Sequence, residues 1–465
     1  MNSSQLQQMF SYVDEHFDAM VQELKEVCRF PGTADHPEGL RQTREYILKK
    51  WKALGIEGHT LPPDGDPPIL WGQAKGDSGR TLVFYNHYDV VPEGDPSGWT
   101  NGKPYEAEIR DSRIYARGVA DNKGGHFCRL HAIEALRAVR GSLPVNVKFL
   151  VEGQEETTSA YMLKMSREQP EWFRELISGD AAIWEGGLVD DEGRPYIRFG
   201  VRGDCVLRFS VQTAQVDCHG RYGATIPGAA WRLIWALASL KGPDERVLVP
   251  GFYDRVLPTT AEDRKALHDF PFDEEGLKRS IGFSSYLTGA KGDALKERLY
   301  MEPTMSVCGL DAGNLHFKPR SIVPHEASAL VTCYLVADQD PDEIYHSIRR
   351  YLDDQGFSDV KVEYTSGTRA IRTDVSTPFR KVMEKAAAFV YDKPVVTEIT
   401  QMGAGPAFIW RSVCPDLPIL GMGPSNPSSN THGQDENLKL EDYKNAVKYI
   451  IALLCLYGES SIEIQ

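Results

Sequence analysis

The 465-residue chain lacks any uninterrupted apolar run of about 18 residues or more, the length that a helical membrane span requires, so no membrane partner is expected. It also lacks a Cys-x-x-Cys pair. The eight cysteines (Cys28, Cys128, Cys205, Cys218, Cys308, Cys333, Cys414 and Cys455) are scattered, which argues against a zinc knuckle or a disulfide framework and for reduced, mostly buried thiols. Positive charge is in short supply. With 52 Lys and Arg against 66 Asp and Glu, the net charge of −14 argues against a general nucleic-acid binder, because phosphate contacts need concentrated basic residues. The N-terminal "MNSSQLQQMFSYVDEHFDAM" has neither a basic flank nor an apolar core and reads as an acidic amphipathic helix, so a cytoplasmic protein is expected.

What is present is the composition of an ordinary globular protein, 41% hydrophobic and 25% charged, at a length that suggests two or three domains. Helical periodicity covers residues 5–28 and 38–54 and resumes over 125–140. Between these lie short apolar runs that read as strands and end abruptly in polar groups. "LVFYNHYD" ends in His87 and Asp89, "VNVKFLVEGQEE" in Glu155 and Glu156, and "DAAIWEGG" in Glu185. Alternation of strand and helix from 80 to 187 is the pattern of an α/β sheet with parallel strands, and such sheets bind ligands beyond the carboxyl ends of their strands. Three successive strand ends therefore offer acids and an imidazole to one crevice.

From about Asp204 the texture changes to strand, helix, strand, helix and strand, close to a small βαββαβ unit with a long helix- and loop-rich insertion near 242–302. The expected fold is α/β, with a central mixed, mostly parallel sheet formed by residues 1–203 and 367–465 and an α+β (βαββαβ) domain inserted at 204–366.

A mixed His and carboxylate set suits zinc, and also manganese or cobalt, without any thiolate. His87, Asp89, Asp121, Glu155, Glu156, Glu185 and His432 exceed what one ion needs, and two ions sharing a carboxylate would use them in a hydrolytic site. Taken singly each signal is weak: His-x-Asp after a strand is more often a turn or cap, and an acid pair is more often a solvated loop. "ARGVADNKGG" is more informative, since two glycines opening a helix let backbone approach a bound group just after Asp121.

Together, "NHYDVVP", "ARGVADNKGG", "EGQEETTS", "IWEGG", "VDCHGRYGATIPGAA", "SIVPHEASALVTCYLVADQDPDEI" and "NPSSNTHGQDEN" resemble, in order, the motifs of the dinuclear-metal aminoacylase and dipeptidase family of metallopeptidases, the M20 family. The resemblance implies His87 and Glu185 on one metal, Glu156 and His432 on the other, and Asp121 between them. It implies Asp89 orienting His87, and Glu155 as general base toward the water and the leaving amine. It also implies that the inserted domain is a lid and dimerisation domain, whose His219 steadies the oxyanion in the partner's site of a homodimer. Two divalent ions, zinc before manganese or cobalt, would be the cofactors.

The match departs from the family on the substrate side. Tyr334 stands where carnosinase-like members carry an Arg that clamps a terminal carboxylate, and a neutral phenol cannot replace that clamp. In "TQMGAGPAF", Met402 replaces a family Glu and Gly405 a hydroxyl residue. Tyr334, Arg320, Gly403 and Gly405 are thus the candidate substrate contacts. The expected reaction is hydrolysis of a C–N bond in an acylated amine or unusual small amide; an ordinary dipeptidase or exopeptidase, and a non-catalytic metal binder on the same fold, are the competing readings. A phosphoesterase fits less well, since no cluster of Arg and Lys offers a phosphate clamp. The Trp231 and Trp235 stripe reads as helix core or interface, and His126 and His131 as structural.

Overall fold

The computed structural model describes residues 3–62, 69–313 and 321–460, and the chain divides into two compact units. The first comprises Met1–Gly200, Thr373–Glu398 and Ile409–Gln465, the second Val201–Arg372 and Ile399–Phe408.

The first unit is built on an eight-stranded mixed sheet, whose order is Glu57–Leu61, Ile69–Ala74, Asn146–Glu152, Thr81–His87, Ala181–Trp184, Ile419–Gly421, Tyr196–Arg198 and Val396–Glu398. Its centre is parallel, from Asn146–Glu152 across to Ile419–Gly421, and antiparallel pairs lie to either side. The central strands are apolar on both faces because helices cover both, and successive side chains go to opposite layers. Phe84 stacks on Phe149, which meets Trp51 of the helix Pro37–Ala53. Tyr85, one residue on, stacks on Trp184, and both rings pack edge-on against Trp410. The helices Ser3–Cys28, Gly124–Arg140 and Leu440–Glu459 pack together, the last with every residue from Tyr449 to Cys455 buried. Among the described residues no helix is long and apolar enough to cross a membrane.

In the second unit, strands Thr304–Ala312, Glu326–Leu335, Gly200–Gln212 and Lys361–Thr368 lie side by side in that order, all antiparallel. Leu207, Phe209, Val331 and Cys333 face the helices Ala229–Leu240 and Pro341–Asp354 across a core that includes Leu233 and Ile348. The insertion folds as the helices Ala261–Asp269, Glu274–Ile281 and Gly292–Met301.

One feature differs from the expectations, and one narrows them. Residues 399–408, expected with the sheet domain, belong to the second unit, because Gln401–Ala404 pairs in parallel with the start of Gly200–Gln212. Of the core and interface readings of Trp231 and Trp235, the core one does not hold: they stack on each other at 5.8 Å between ring centres and are 61% and 55% exposed. Their helix buries the other stripe, Leu233, Ala236 and Leu240, against the sheet. All eight cysteines are unpaired, and five of them are buried.

Candidate metal centre

Parallel strands end together, and that brings the polar groups of the first unit to one place. His87 is the last residue of its strand, Glu185 follows Ala181–Trp184, and Glu155 and Glu156 form a single turn of 3₁₀ helix just beyond Asn146–Glu152. Asp121 lies in the widened turn Val119–Lys123 that leads into the helix Gly124–Arg140, and His432 in the loop before the strand Asn437–Lys439. His87 Nε2 is 3.0 Å from Asp121 Oδ1 and 3.2 Å from Glu185 Oε2. His432 Nε2 is 3.2 Å from Asp121 Oδ2 and 3.2 Å from Glu156 Oε1. Asp121 thus offers one oxygen to each imidazole. Glu156 Oε1 and Glu185 Oε2 are buried, each 3.2 Å from an imidazole nitrogen but without an aligned hydrogen bond, an arrangement that a bound cation would complete.

The electrostatics agree with a cation-seeking site. Burial opposes ionisation of Asp121, but hydrogen bonds from His432 and His87 outweigh it and hold its carboxyl well below the usual range. Close contacts with the Asp121 and Glu156 carboxylates raise His432 to about 10. Burial depresses His87, yet the Glu185 charge and the Asp121 and Asp89 contacts overcome it and raise its pKa. The acids thus favour positive charge at both imidazoles, the place where divalent ions would bring it. Burial raises Glu155, with His87 opposing and Glu156 adding to the rise.

Asp89 has a different position from a simple partner of His87. Its main-chain carbonyl accepts from His87 Nδ1 at 3.0 Å, which puts a proton on Nδ1 and leaves Nε2 to face the acids. Its carboxylate lies farther from that ring, at 3.4 Å, and instead accepts the backbone N–H groups of Glu155 at 3.3 Å and Glu156 at 3.0 Å. The buried Asp89 side chain therefore anchors the turn carrying both glutamates.

Several buried positioning residues carry no metal-ligand signature. Arg129 donates to the carbonyls of Tyr85 and Trp184, at 2.6 and 2.8 Å, and to Asn86, tying the strand of His87 to the strand preceding Glu185. Arg117 and Glu436 form a buried pair at 2.7 Å. Lys123 donates to the carbonyls of Val27 and Phe30, at 3.1 and 2.8 Å, and so fixes the Asp121 turn to the end of the first helix. Glu436 lies within the quoted "HGQDEN" and Arg117 within "ARGVADNKGG", so a charge inside each apolar-flanked motif was the available signal.

A second cluster of like composition, Glu23, His131 and Glu134, is already neutralised: Lys50 Nζ lies 2.6 Å from Glu23 and 2.5 Å from Glu134. Burial lowers His131 and His126, so both are neutral structural groups, His126 accepting from Trp51 and His131 from Tyr443. His219, Tyr334, Gly403 and Gly405 belong to the second unit. Arg320 lies outside the described residues.

Strand ends that converge two imidazoles and several acids on one point define a metal-dependent hydrolase. The model of the family described as peptidase family M20/M25/M40 matches residues 83–455, and the chain belongs to that family. The Beta-Ala-His dipeptidase of Rattus norvegicus is 28% identical over 76% of this chain and 74% of its own length. The Cys-Gly metallodipeptidase of Candida albicans is 24% identical over 98% of both. Among solved structures, an M20 family metallo-carboxypeptidase from Sulfolobus solfataricus superposes with a TM-score of 0.82 at 30% identity, covering 94% of this chain and 99% of that one. The chain is accordingly a metal-dependent peptidase or amidohydrolase, and divalent metal is its cofactor.

Proposed function

We propose that the chain hydrolyses the C–N bond of a small peptide or acylated amine at a dinuclear centre, with His87 and Glu185 holding one divalent ion, Glu156 and His432 the other, and Asp121 shared. The observation that carries this is Asp121, whose two oxygens face two different imidazoles at 3.0 and 3.2 Å beside two buried carboxylate oxygens, of Glu156 and Glu185, that lack an aligned hydrogen bond. Imidazole and carboxylate donors without thiolate fit zinc, with manganese or cobalt as alternatives. Ions bound there supply polarisation of the scissile carbonyl and a water nucleophile of lowered pKa.

Glu155 is assigned the proton traffic: it takes a proton from the attacking water and delivers it to the leaving amine. Its raised pKa suits a group that must both accept and release a proton near neutrality, and the Asp89 carboxylate holds its backbone. His87 needs its Nδ1 proton for the Asp89 carbonyl, and that fixes Nε2 as the ligating nitrogen.

The second unit is assigned the role of lid and homodimer contact. The stacked, exposed Trp231 and Trp235 and the edge strand Thr304–Ala312, with Val307 and Leu310 exposed, support a second copy as the partner. His219 is exposed, and its Nδ1 accepts from the Arg221 backbone at 3.1 Å, so the proton sits on Nε2, ready to donate to an oxyanion in the partner's site.

On the substrate side two readings compete. Two relatives are dipeptidases for β-Ala-His and Cys-Gly, which favours a dipeptide. The exposed phenol of Tyr334, in place of a guanidinium, favours a substrate without a carboxylate at that position.

Glu155→Gln tests the mechanism: two ions per chain retained with hydrolysis lost is the expected result, and unchanged hydrolysis removes Glu155 from its role. A panel of β-Ala-His, Cys-Gly and N-acyl amines, assayed with zinc or manganese, tests the substrate; efficient cleavage of ordinary dipeptides sinks the unusual-amide reading.

A further inference from the structure

We infer that Glu436 is a positioning residue that sets the spacing of the two ion sites by locking the shared ligand, Asp121, to the loop that carries His432. This rests on the dinuclear reading above.

The Glu436 side chain is fully buried. Its Oε1 accepts the backbone N–H groups of Ala120 at 2.8 Å and Asp121 at 3.0 Å. Its Oε2 accepts the N–H of Gly118 at 2.8 Å and Arg117 Nη1 at 2.7 Å. Two oxygens with two lone pairs each are thereby saturated, so this carboxylate has no capacity left to ligate an ion.

The segment it grips is irregular, with few backbone hydrogen bonds of its own beyond Lys123 N–H to the Gly118 carbonyl at 2.9 Å. Gly118 is left-handed, at φ 80°, and a Cβ there would come within 2.4 Å of Val90. Asp121, at φ −127° and ψ 92°, is not helical, so the turn lacks a regular ladder of its own. Glu436 supplies acceptors for three of its amides from 315 residues away in sequence.

The other half of the clamp is Arg117. Besides Glu436 it donates, at 3.4 Å each, to the carbonyls of His432 and Pro92, and its guanidinium lies 5.2 Å over the Trp99 ring. One buried pair therefore joins the Asp121 turn, the His432 loop and the chain that leaves His87. Each ion in the proposal draws a ligand from a different loop while Asp121 serves both, so the element that fixes these loops relative to one another fixes the separation of the ions.

The test uses Mn²⁺ as the probe on the full chain, with stepwise binding by calorimetry, the exchange-coupled paramagnetic resonance signal of a paired site, and kcat and KM. Wild type is expected to bind two Mn²⁺ and to give the coupled signal. In Glu436→Gln the amide NH₂ must face either Arg117 and Gly118 or the Ala120 and Asp121 amides, donor against donor.

The expected result is a folded chain whose second ion binds about 10- to 100-fold more weakly, with the coupled signal lost and kcat reduced at little change in KM. A folded variant with both affinities and the coupled signal of wild type overturns the inference, whatever its melting temperature. Should Glu436→Gln fail to fold, Arg117→Lys keeps the charge but gives up the fork that reaches both Glu436 and His432. It is expected to weaken the second ion in the same direction, and wild-type coupling in it overturns the inference too. A wild type that binds one ion without coupling instead overturns the dinuclear reading beneath it.

Discussion

Asp89→Ala separates two roles that a carboxylate beside a histidine can have. If the carboxylate oriented His87, its loss would free the ring. The His87 Nδ1 proton, however, goes to the Asp89 main-chain carbonyl at 3.0 Å, which alanine retains, while the carboxylate accepts from the Glu155 and Glu156 amides at 3.3 and 3.0 Å. The damage should therefore fall on the glutamate turn. Hydrogen bonds to a charged acceptor contribute about 1.5–3 kcal/mol each, and the half-buried turn lets water recover part of that, so about 2–4 kcal/mol of anchoring is lost. A displacement of order 1 Å in a reacting group costs about 100-fold in rate. The expected outcome is kcat lowered by about 100-fold at saturating metal, a weaker ion on the Glu156 side, and an unchanged His87 tautomer in the ring ¹⁵N shifts. Asp89→Asn keeps one acceptor and should lie between. A kcat within twofold of wild type, or a changed His87 tautomer with the turn's amide signals unmoved, refutes this assignment.

On the proposed homodimer, the Trp231→Glu, Trp235→Glu double variant should sediment as a folded monomer and lose most of the activity, since His219 would lose its partner site; an active monomer contradicts the proposed transfer of His219 across the interface. In the sheet, Gly58 pairs with Gly72 and the buried Trp51 lies over both, with a Cβ on either glycine falling within 2.6 Å of the indole. Gly72→Ala should destabilise the chain by about 1–3 kcal/mol and Trp51→Ala by about 3–5 kcal/mol in urea unfolding. Combining Gly72→Ala with Trp51→Leu should cost less than the sum of the two single changes; strict additivity would mean that indole and glycines do not touch.

The convergence of the proposed ligands was legible because metal-binding chemistry restricts residue type. A divalent ion needs imidazole and carboxylate, and parallel strands need their polar groups at the ends, so His87, Glu156 and Glu185 stand out where apolar runs stop. The sheet was legible for the same reason, down to the helix Gly124–Arg140 and the strand Asn146–Glu152. Trp231 and Trp235 were less so, because an apolar stripe on a helix reads alike whether it meets the core or solvent; only the opposite stripe, Leu233, Ala236 and Leu240, decides which face is in.

The clamps were hard to read because most of their partners are backbone groups. Glu436, Arg129 and Lys123 donate to or accept from main-chain atoms at chain separations of 44 to 318 residues, and any sequence offers those atoms at every position. A side chain that serves the backbone leaves no complementary residue to find, whereas a ligand leaves a set. The same asymmetry explains Asp89, whose His-x-Asp spacing suggests a side chain-to-ring contact while its carboxylate serves two amides 66 and 67 residues further on. Burial then raises the stakes: a saturated carboxylate in the interior is far harder to replace than an exposed one, because every donor it releases is left without water. The residues least visible in the sequence are therefore those whose conservative substitutions should disturb ion spacing most while leaving every ligand in place.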